Sequence, residues 1–291
     1  MVLRDILHKC LNSRILKLSG TLFKQLVDTI DAVKSKKMVR NLAVFDFDHT
    51  VINDNSDTAV LKLINKEVPE EVKQLHKSDG WTAFMQGVFN TLHENNIKEE
   101  SINNLIRQLP AVEGMPELIK QMNDDLNYDV IIISDSNSHF IDLWLDQNNL
   151  KKYISRVFSN PACFENGLLK IRMYHLQNCC KLSTKNLCKG KIMEDFITEQ
   201  NSLGVVYKRV VYCGDGINDF CPILRLSKND LACVRHKYKC VDVVLRSKEG
   251  RYIDEDGETR IVTSDVYIWK NGYDILEYVK QLQRKESKLL E

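Results

Sequence analysis

Two aspartates, Asp46 and Asp48, stand two residues apart at the end of an apolar segment, and Thr50 follows them. On a strand, side chains at this spacing point to the same side. Neighbouring carboxylates repel each other and raise each other's pKa unless a cation neutralises them, and hard divalent cations prefer such oxygen ligands. The spacing therefore predicts a site for a divalent cation, most simply Mg²⁺.

A second acidic segment, Gly214-Asp215-Gly216-Ile217-Asn218-Asp219, strengthens this interpretation. Its glycines permit a tight turn, and the turn can present two further acids, Asp215 and Asp219, to the same cation. A D-x-D-x-T pattern alone occurs often by chance, and isolated acids at strand ends are usually turn or cap residues. The two segments together make that simpler interpretation improbable.

Three continuous apolar runs precede these polar residues, and they begin at Leu42, Val130 and Val210. Continuous rather than alternating apolar runs are typical of strands that are buried on both faces of a parallel sheet. Stretches with helical spacing separate the runs. The β-α-β alternation predicts an α/β fold with a doubly wound parallel sheet.

In such a sheet, ligands bind beyond the carboxyl ends of the strands, at the point where the strand order reverses. The three runs end there in polar residues. We therefore expect one site to gather the polar side chains of the three strand ends, which are Asp46, Asp48, Ser134, Asp135 and Asp215.

The domain prediction divides the chain into three parts. Residues 57–112 have helical spacing without a comparable strand run, which predicts a small helical cap inserted after the first strand, where it can close over the strand ends. Residues 38–56 and 113–282 are expected to form the α/β core. Residues 1–37 are predicted to be a basic amphipathic extension.

The first 40 residues contain nine Lys or Arg and three Asp, with apolar residues at helical spacing. Organelle transit peptides share this pattern, so mitochondrial targeting stays open. We favour the simpler interpretation of a surface helix or extension, because the segment before Met38 precedes a core that looks complete. The expected location is intracellular, most simply cytoplasmic.

Composition excludes several classes of protein. A net charge of +1 over 291 residues gives none of the strong positive field of a nucleic-acid-binding protein. The sequence also has no apolar run of about 18 residues, which argues against a membrane span. Nothing in the composition predicts the oligomeric state.

The chain contains nine cysteines, an odd number, which fits a reducing compartment better than a disulfide framework. The densest group of soft metal ligands is His175, Cys179, Cys180 and Cys188. It lacks the paired C-x-x-C segments of common zinc sites. We therefore favour ordinary thiols over a zinc site for these residues.

The order of Asp46-x-Asp48-x-Thr50, Ser134, Lys189 and GDGxND at 214–219 resembles the four motifs of the haloacid dehalogenase superfamily of phosphohydrolases. Within it, the chain is similar to the phosphoethanolamine/phosphocholine phosphatase and pyridoxal phosphate phosphatase family from about residue 40 to about residue 280. That similarity rests on VFDFDHT (44–50), DNSD (54–57), GWTAFM (80–85), EGMPELI (113–119), SDSNS (134–138), NPACFENG (160–167) and NLCKGKI (186–192). The chain departs from the family at 179–183, where the family has C-x-x-C-P.

The resemblance implies a Rossmann-like core and a phosphatase mechanism. Asp46 would attack phosphorus and form an aspartyl-phosphate, while Asp48 would protonate the leaving oxygen and later take a proton from the hydrolytic water. In the family, Mg²⁺ is held by the first aspartate, the backbone carbonyl of the second and an acid of the last motif, here Asp46, Asp48 and Asp215. Asp219 would support these ligands from behind.

The resemblance also assigns phosphate contacts to Thr50 and Ser134, through their hydroxyls, and to Lys189, as a positive charge near the transferring oxygens. Asp57 and Asp135 are expected to contact the leaving group, since acids there suit a cationic group. The predicted substrate is a small phosphomonoester: pyridoxal 5'-phosphate, phosphoethanolamine or phosphocholine. A phosphotransferase or mutase, and a non-catalytic phospholigand-binding protein, are the alternatives.

Overall fold

The computed structural model describes residues 37–64 and 67–289, so all of the predicted N-terminal extension except Lys37 lies outside the described residues. Elements are numbered within the described part. The strands are β1 (Met38–Phe45), β2 (Tyr128–Asn137), β3 (Arg156–Asn160), β4 (Ala162–Glu165), β5 (Leu168–Ile171), β6 (Val205–Gly214), β7 (Leu231–Arg235) and β8 (Asp265–Trp269).

Ten α-helices occur in the described part, together with 3-10 turns at Val60–Leu63, Lys151–Tyr153 and Ile217–Asp219. The helices are α1 (Ser56–Ala59), α2 (Glu70–Ser78), α3 (Trp81–Glu94), α4 (Glu99–Arg107), α5 (Met115–Asp124), α6 (Ser138–Gln147), α7 (Lys189–Ser202), α8 (Phe220–Leu224), α9 (Lys239–Lys248) and α10 (Gly272–Leu289). None of them has the length and apolar character that crossing a bilayer requires.

Six parallel strands form the central sheet, in the order β3-β2-β1-β6-β7-β8. The chain moves outward from β1 to β3 and then returns to the other side of β1 with β6. The strand order therefore reverses between β1 and β6, which opens a crevice at their carboxyl ends. The predicted α/β fold with a doubly wound parallel sheet is confirmed.

Both faces of the sheet are covered, which explains the continuous apolar runs. On β1, Ala43 and Phe45 pack into one core cluster and Leu42 and Val44 into the other, and all four are fully buried. Successive side chains of a strand point to opposite faces, so a strand between two layers must be apolar at every position. Burial of each large apolar side chain contributes about 1.5–3 kcal/mol.

Helices α1 to α4 occupy the segment between β1 and α5. The apolar side of α3, including Met85, Val88 and Phe89, joins the core cluster on one face of the sheet. The role of this segment as a cap stays a prediction.

The antiparallel hairpin β4–β5 is an element that the apolar runs did not predict, because its strands are short and half exposed. It packs against α3. Gln86 of α3 donates to the carbonyl of Leu169 at 3.3 Å and accepts from the backbone N–H of Ile171 at 2.9 Å. The hairpin is thereby attached to the inserted helices.

Two glycines allow the start of α10 to lie close to the start of α5. Gly114 adopts a φ of 71° immediately before α5, and a Cβ there would lie 2.6 Å from a ring carbon of Tyr273. A Cβ on Gly272 would lie 2.4 Å from the Gly114 carbonyl. The N–H of Gly272 donates to the Glu113 carbonyl at 2.7 Å, so α10 begins against the start of α5.

We predict that Gly114→Ala lowers the free energy of unfolding by about 2–5 kcal/mol, measured by urea denaturation. About 1–2 kcal/mol comes from the left-handed backbone, and the rest comes from overpacking against Tyr273. Gly204→Ala is the matched control, because Gly204 has a φ of 89° and open space around it. The control should lose only the free energy that comes from the left-handed backbone, about 1–2 kcal/mol. Equal losses of stability for the two variants would contradict the packing argument.

Candidate active site

The carboxyl ends of three strands meet at one edge of the sheet. Phe45 at the end of β1 pairs with Ile132 of β2 on one side and with Cys213 of β6 on the other. Asp46 directly follows Phe45, and Asp215 directly follows Gly214, the last residue of β6. The parallel register therefore places the two acidic segments on either side of the crevice.

A buried lysine joins the two segments. Lys189, the first residue of α7, lies with Nζ 2.6 Å from Oδ2 of Asp46 and 2.9 Å from Oδ1 of Asp219, and it is 1% exposed. Burial alone lowers the pKa of Lys189, but the charges of Asp219 and Asp46 outweigh burial and raise it. The lysine is therefore a permanent cation in the centre of the site.

Both carboxylate oxygens of Asp219 accept hydrogen bonds from neighbouring groups of the protein. Its Oδ1 also accepts from the hydroxyl of Tyr212 at 2.7 Å, and its Oδ2 accepts from the backbone N–H groups of Asp215 and Gly216, each at 2.9 Å. These bonds hold the turn that carries Asp215. The geometry suits a supporting residue better than a direct ligand.

One carboxylate oxygen from each of Asp46, Asp215 and Asp219 lies within 4.8 Å of the others. Thr50 donates its hydroxyl to Oδ1 of Asp215 at 3.2 Å, and the N–H of Phe47 donates to Oδ1 of Asp46 at 2.7 Å. Hard oxygen ligands in this density suit Mg²⁺. The buried aspartates are therefore compatible with the metal that the sequence predicts.

The electrostatics of the group favour a bound cation. Burial raises the pKa of Asp46 well above its usual range; Lys189 lowers it, and neighbouring acids raise it further. Burial and the charge of Asp219 raise the pKa of Asp215 to about 7. These carboxyls are held near one another at a cost in free energy that a divalent ion offsets.

Asp48 faces the inserted segment. Its Oδ1 accepts from the backbone N–H of Ser56 at 2.9 Å. Burial raises the pKa of Asp48 well above its usual range, and repulsion from Asp57 adds to the effect. A carboxyl group with a raised pKa can carry a proton at neutral pH, which is the property that a general acid needs.

Asp57 lies on α1 and is 1% exposed. Its Oδ2 accepts from the indole N–H of Trp81 at 2.7 Å, and its Oδ1 accepts from Nδ2 of Asn137 at 3.4 Å. Burial raises the pKa of Asp57 to about 7, the hydrogen bond from Trp81 counteracts burial, and the charge of Asp135 raises the pKa again. The carboxyl therefore joins the inserted helices to β2.

Ser134 and Asp135 extend the site along β2. Ser134 is buried, and its hydroxyl oxygen accepts from the N–H of Ser136 at 3.3 Å. Asp135 accepts from Nδ2 of Asn218 at its carboxylate (3.1 Å) and from Nδ2 of Asn160 at its carbonyl (2.6 Å). After burial and the charge of Asp219, the charge of Asp135 also raises the pKa of Asp46.

Sequence reasoning did not assign roles to several residues that complete the site. Asn160, Asn218 and Trp81 stand inside quoted motif segments, so their positions were marked although their contacts were not. Tyr212 stands within an apolar run, where its hydroxyl was the one polar group that required a partner. Ser56 also stands inside one of these segments, DNSD (54–57), but its bond to Asp48 is made by its backbone N–H, which its side-chain type does not indicate.

Comparison with known proteins places this arrangement in a family. The model of the family described as Putative Phosphatase matches residues 41–283. The Bos taurus protein named pyridoxal phosphate phosphatase PHOSPHO2 is 38% identical over 244 residues, which cover 83% of this chain and 98% of the relative. The Homo sapiens phosphoethanolamine/phosphocholine phosphatase is 27% identical over 246 residues, which cover 84% of this chain and 89% of the relative.

Among solved structures, a phosphoserine phosphatase in a phospho-aspartyl intermediate analogue form matches with a TM-score of 0.51 at 18% identity. The match covers 82% of this chain and 98% of that protein, and it supports the fold. The family match covers the residues that form the crevice. The chain therefore belongs to this family of haloacid dehalogenase phosphatases, and it is a phosphatase.

Proposed function

We propose that the chain is a Mg²⁺-dependent phosphomonoesterase that uses Asp46 as its nucleophile. The observation that carries this proposal is the pair of contacts from buried Lys189 to Asp46 and Asp219. The lysine holds the Asp46 carboxylate at the strand end and offsets the repulsion between that carboxylate and a phosphate dianion. Attack of Asp46 on phosphorus would form an aspartyl-phosphate and release the alkoxide.

Asp48 is the proposed proton carrier. Its raised pKa supports a protonated state before the first step, in which the proton passes to the leaving oxygen. In the second step, the resulting carboxylate takes a proton from the water that attacks the phosphorus of the aspartyl-phosphate. Phosphate is then released and Asp46 is regenerated.

The proposed metal ligands are the carboxylates of Asp46 and Asp215 and the backbone carbonyl of Asp48, with Asp219 holding the turn of Asp215. Mg²⁺, when bound, would supply positive charge against the phosphoryl oxygens. Around the phosphate, the hydroxyls of Thr50 and Ser134 are the proposed donors. Lys189 would contact the same oxygens.

Pyridoxal 5'-phosphate is the substrate that we favour first. Relatives named pyridoxal phosphate phosphatase are 37–38% identical to this chain, whereas those named phosphoethanolamine/phosphocholine phosphatase are 27–28% identical. Asp57 and Asp135 are the proposed contacts of the leaving group. Both side chains are carboxyls, which can attract a positively charged nitrogen of the leaving group.

Residues 57–112 are the proposed cap over this site, and residues 38–56 and 113–282 the proposed core. The hydrogen bonds from Trp81 and Asn137 to Asp57 support this division, because they join the inserted helices to the core next to the crevice. A cap in this position would exclude bulk water during phosphoryl transfer.

We predict that Asp46→Asn lowers phosphate release by more than about a thousandfold, because an amide cannot act as the nucleophile. Release of inorganic phosphate from pyridoxal 5'-phosphate is measured with Mg²⁺ and after chelation, and chelation should also abolish activity. Asp146→Asn is the control, since Asp146 is exposed on α6 and forms a surface ion pair with Lys151 at 3.5 Å. Retention of more than about a thousandth of the rate in Asp46→Asn would disprove the assigned role.

A substrate panel separates the remaining alternatives. At fixed Mg²⁺, pyridoxal 5'-phosphate should give a higher kcat/KM than phosphoethanolamine, phosphocholine and phosphoserine. An added alcohol tests for a phosphotransferase, because that enzyme would form a new phosphate ester in preference to free phosphate. A higher kcat/KM for phosphocholine would redirect the substrate assignment while leaving the mechanism in place.

We predict that the preference for a cationic leaving group increases with pH. Since the pKa of Asp57 is about 7, its carboxyl becomes negatively charged as the pH rises through that value. The ratio of kcat/KM for phosphocholine to that for phenyl phosphate should rise about three- to fourfold from about pH 6 to about pH 8. A charge contact of about 1 kcal/mol gives about a fivefold difference between the ionised and protonated forms, and the carboxyl goes from about one-tenth to about nine-tenths ionised over this range.

Phosphocholine carries a permanent positive charge, so the change reports the titration of the enzyme and not of the leaving group. Asp57→Asn should remove the pH dependence of this ratio. If the variant keeps the same dependence, Asp57 does not contact the leaving group.

A further inference from the structure

Three cysteines from separate parts of the chain come together beside the start of α7. We call Cys180, Cys188 and Cys221 the thiol cluster. Cys180 lies in the loop that follows β5, Cys188 immediately precedes α7, and Cys221 lies in α8. The Sγ of Cys221 is 3.4 Å from that of Cys180 and 3.7 Å from that of Cys188, and all three sulfur atoms lie within 4.8 Å of one another.

These separations match a tetrahedral metal site. Zn²⁺ binds thiolates at about 2.3 Å in tetrahedral geometry, which places two sulfur ligands about 3.8 Å apart. A disulfide requires about 2.05 Å between two sulfurs, would leave the third thiol unused and would need an oxidant. The thiol cluster therefore fits a shared central ion better than a pairwise bond.

A hydroxyl group lies beside the thiol cluster. The hydroxyl of Ser183 lies 3.6 Å from the Sγ of Cys180 and accepts from that thiol. This hydroxyl is the candidate fourth ligand, because it lies beside one of the three sulfurs.

We propose that the thiol cluster is a second metal site, specific for a soft divalent ion such as Zn²⁺, with Ser183 or a water molecule as the fourth ligand. This site is separate from the aspartates of the crevice and does not rest on the proposed phosphatase mechanism. Thiolates select zinc over magnesium because sulfur is a soft ligand. Binding would release the protons of the thiols.

The surroundings of the thiol cluster support an anionic site with an entry path. Nη2 of Arg225 lies 3.8 Å from the Sγ of Cys188 and offsets the negative charge of three thiolates. A Cβ on Gly190 would lie 2.8 Å from the Sγ of Cys221, so the glycine keeps space for that sulfur. A cavity of about 570 Å³ borders Cys180, Cys221 and Arg225, and it connects the cluster with the surface.

The thiol cluster differs from the group of soft ligands that lies close together in the sequence, because it lacks His175 and Cys179 and contains Cys221. Nε2 of His175 accepts from the backbone N–H of Cys188 at 3.2 Å. Cys179 is exposed, and its sulfur faces Oε1 of Gln177 at 3.6 Å. Cys221 takes their place from 33 residues beyond Cys188, a contact that no local spacing pattern could indicate.

A metal bound to the thiol cluster would stabilise the Lys189–Asp219 contact of the crevice, although the metal would lie outside the crevice. Cys188 is next to Lys189, and Cys221 stands two residues after Asp219. One ion bound to both cysteines would therefore hold the two ends of the Lys189–Asp219 contact. The loop that contains Cys180 and Ser183 would be fixed to the same point.

The full-length protein, expressed in zinc-supplemented medium, should contain one zinc per chain by elemental analysis. Cys180→Ser, Cys188→Ser and Cys221→Ser should each lose most of it. Cys179→Ser and Cys163→Ser are matched controls, because both thiols are exposed and lie outside the cluster, and they should keep the metal. Asp215→Asn should also keep the zinc, since its carboxylate belongs to the other site.

A second measurement covers variants that fail to fold. Metal-free wild-type protein titrated with Co²⁺ should show thiolate-to-cobalt charge transfer and the visible bands of tetrahedral cobalt, which Zn²⁺ removes. Ser183→Cys should compete better with a chelator, because it supplies a fourth thiolate. The proposal is overturned if wild-type protein contains no zinc and gives no such bands, or if mass spectrometry finds a disulfide between cysteines of the cluster.

Discussion

The site depends on one buried cation between two carboxylates. Lys189 contacts Asp46 and Asp219 with almost no exposure to water, and removal of one member of such a pair usually costs about 3–5 kcal/mol. The contact requires the end of β1, the start of α7 and the turn after β6 to meet at one point. Their meeting fixes the position of the carboxylate that the proposed chemistry uses.

The reversal of strand order between β1 and β6 makes this meeting possible, and the turn after β6 completes it. A Cβ on Gly214 would lie 2.4 Å from the carboxyl carbon of Asp219, so only glycine lets that carboxylate pack against the end of β6. From there, Asp219 binds the backbone of Asp215 and the hydroxyl of Tyr212. A short sequence motif therefore encodes both an acid at the crevice and the support behind it.

The sequence predicted the sheet because strands buried on both faces leave continuous apolar runs, as in β1, β2 and β6. The edge strand β3 has only two consecutive apolar residues, Val157 and Phe158. The edge strand β8 has a short apolar run, but most of its side chains are partly or fully exposed, and it does not end in a carboxylate. The runs of β1, β2 and β6 also predicted that the acids at their ends, such as Asp46 and Asp215, would lie at one edge of the sheet. Contacts between distant segments, such as Trp81 with Asp57 or Cys221 with Cys188, depend on how helices and loops pack, which local spacing does not record.

The hairpin β4–β5 constrains how the inserted helices can move. The chain enters and leaves this segment through an antiparallel bridge between Ile52 and Ala111, which forms a narrow neck. Gln86 of α3 meanwhile holds the backbone of β5 with two hydrogen bonds. Any swing of the helices about the neck would therefore have to carry the hairpin along or break both of these hydrogen bonds.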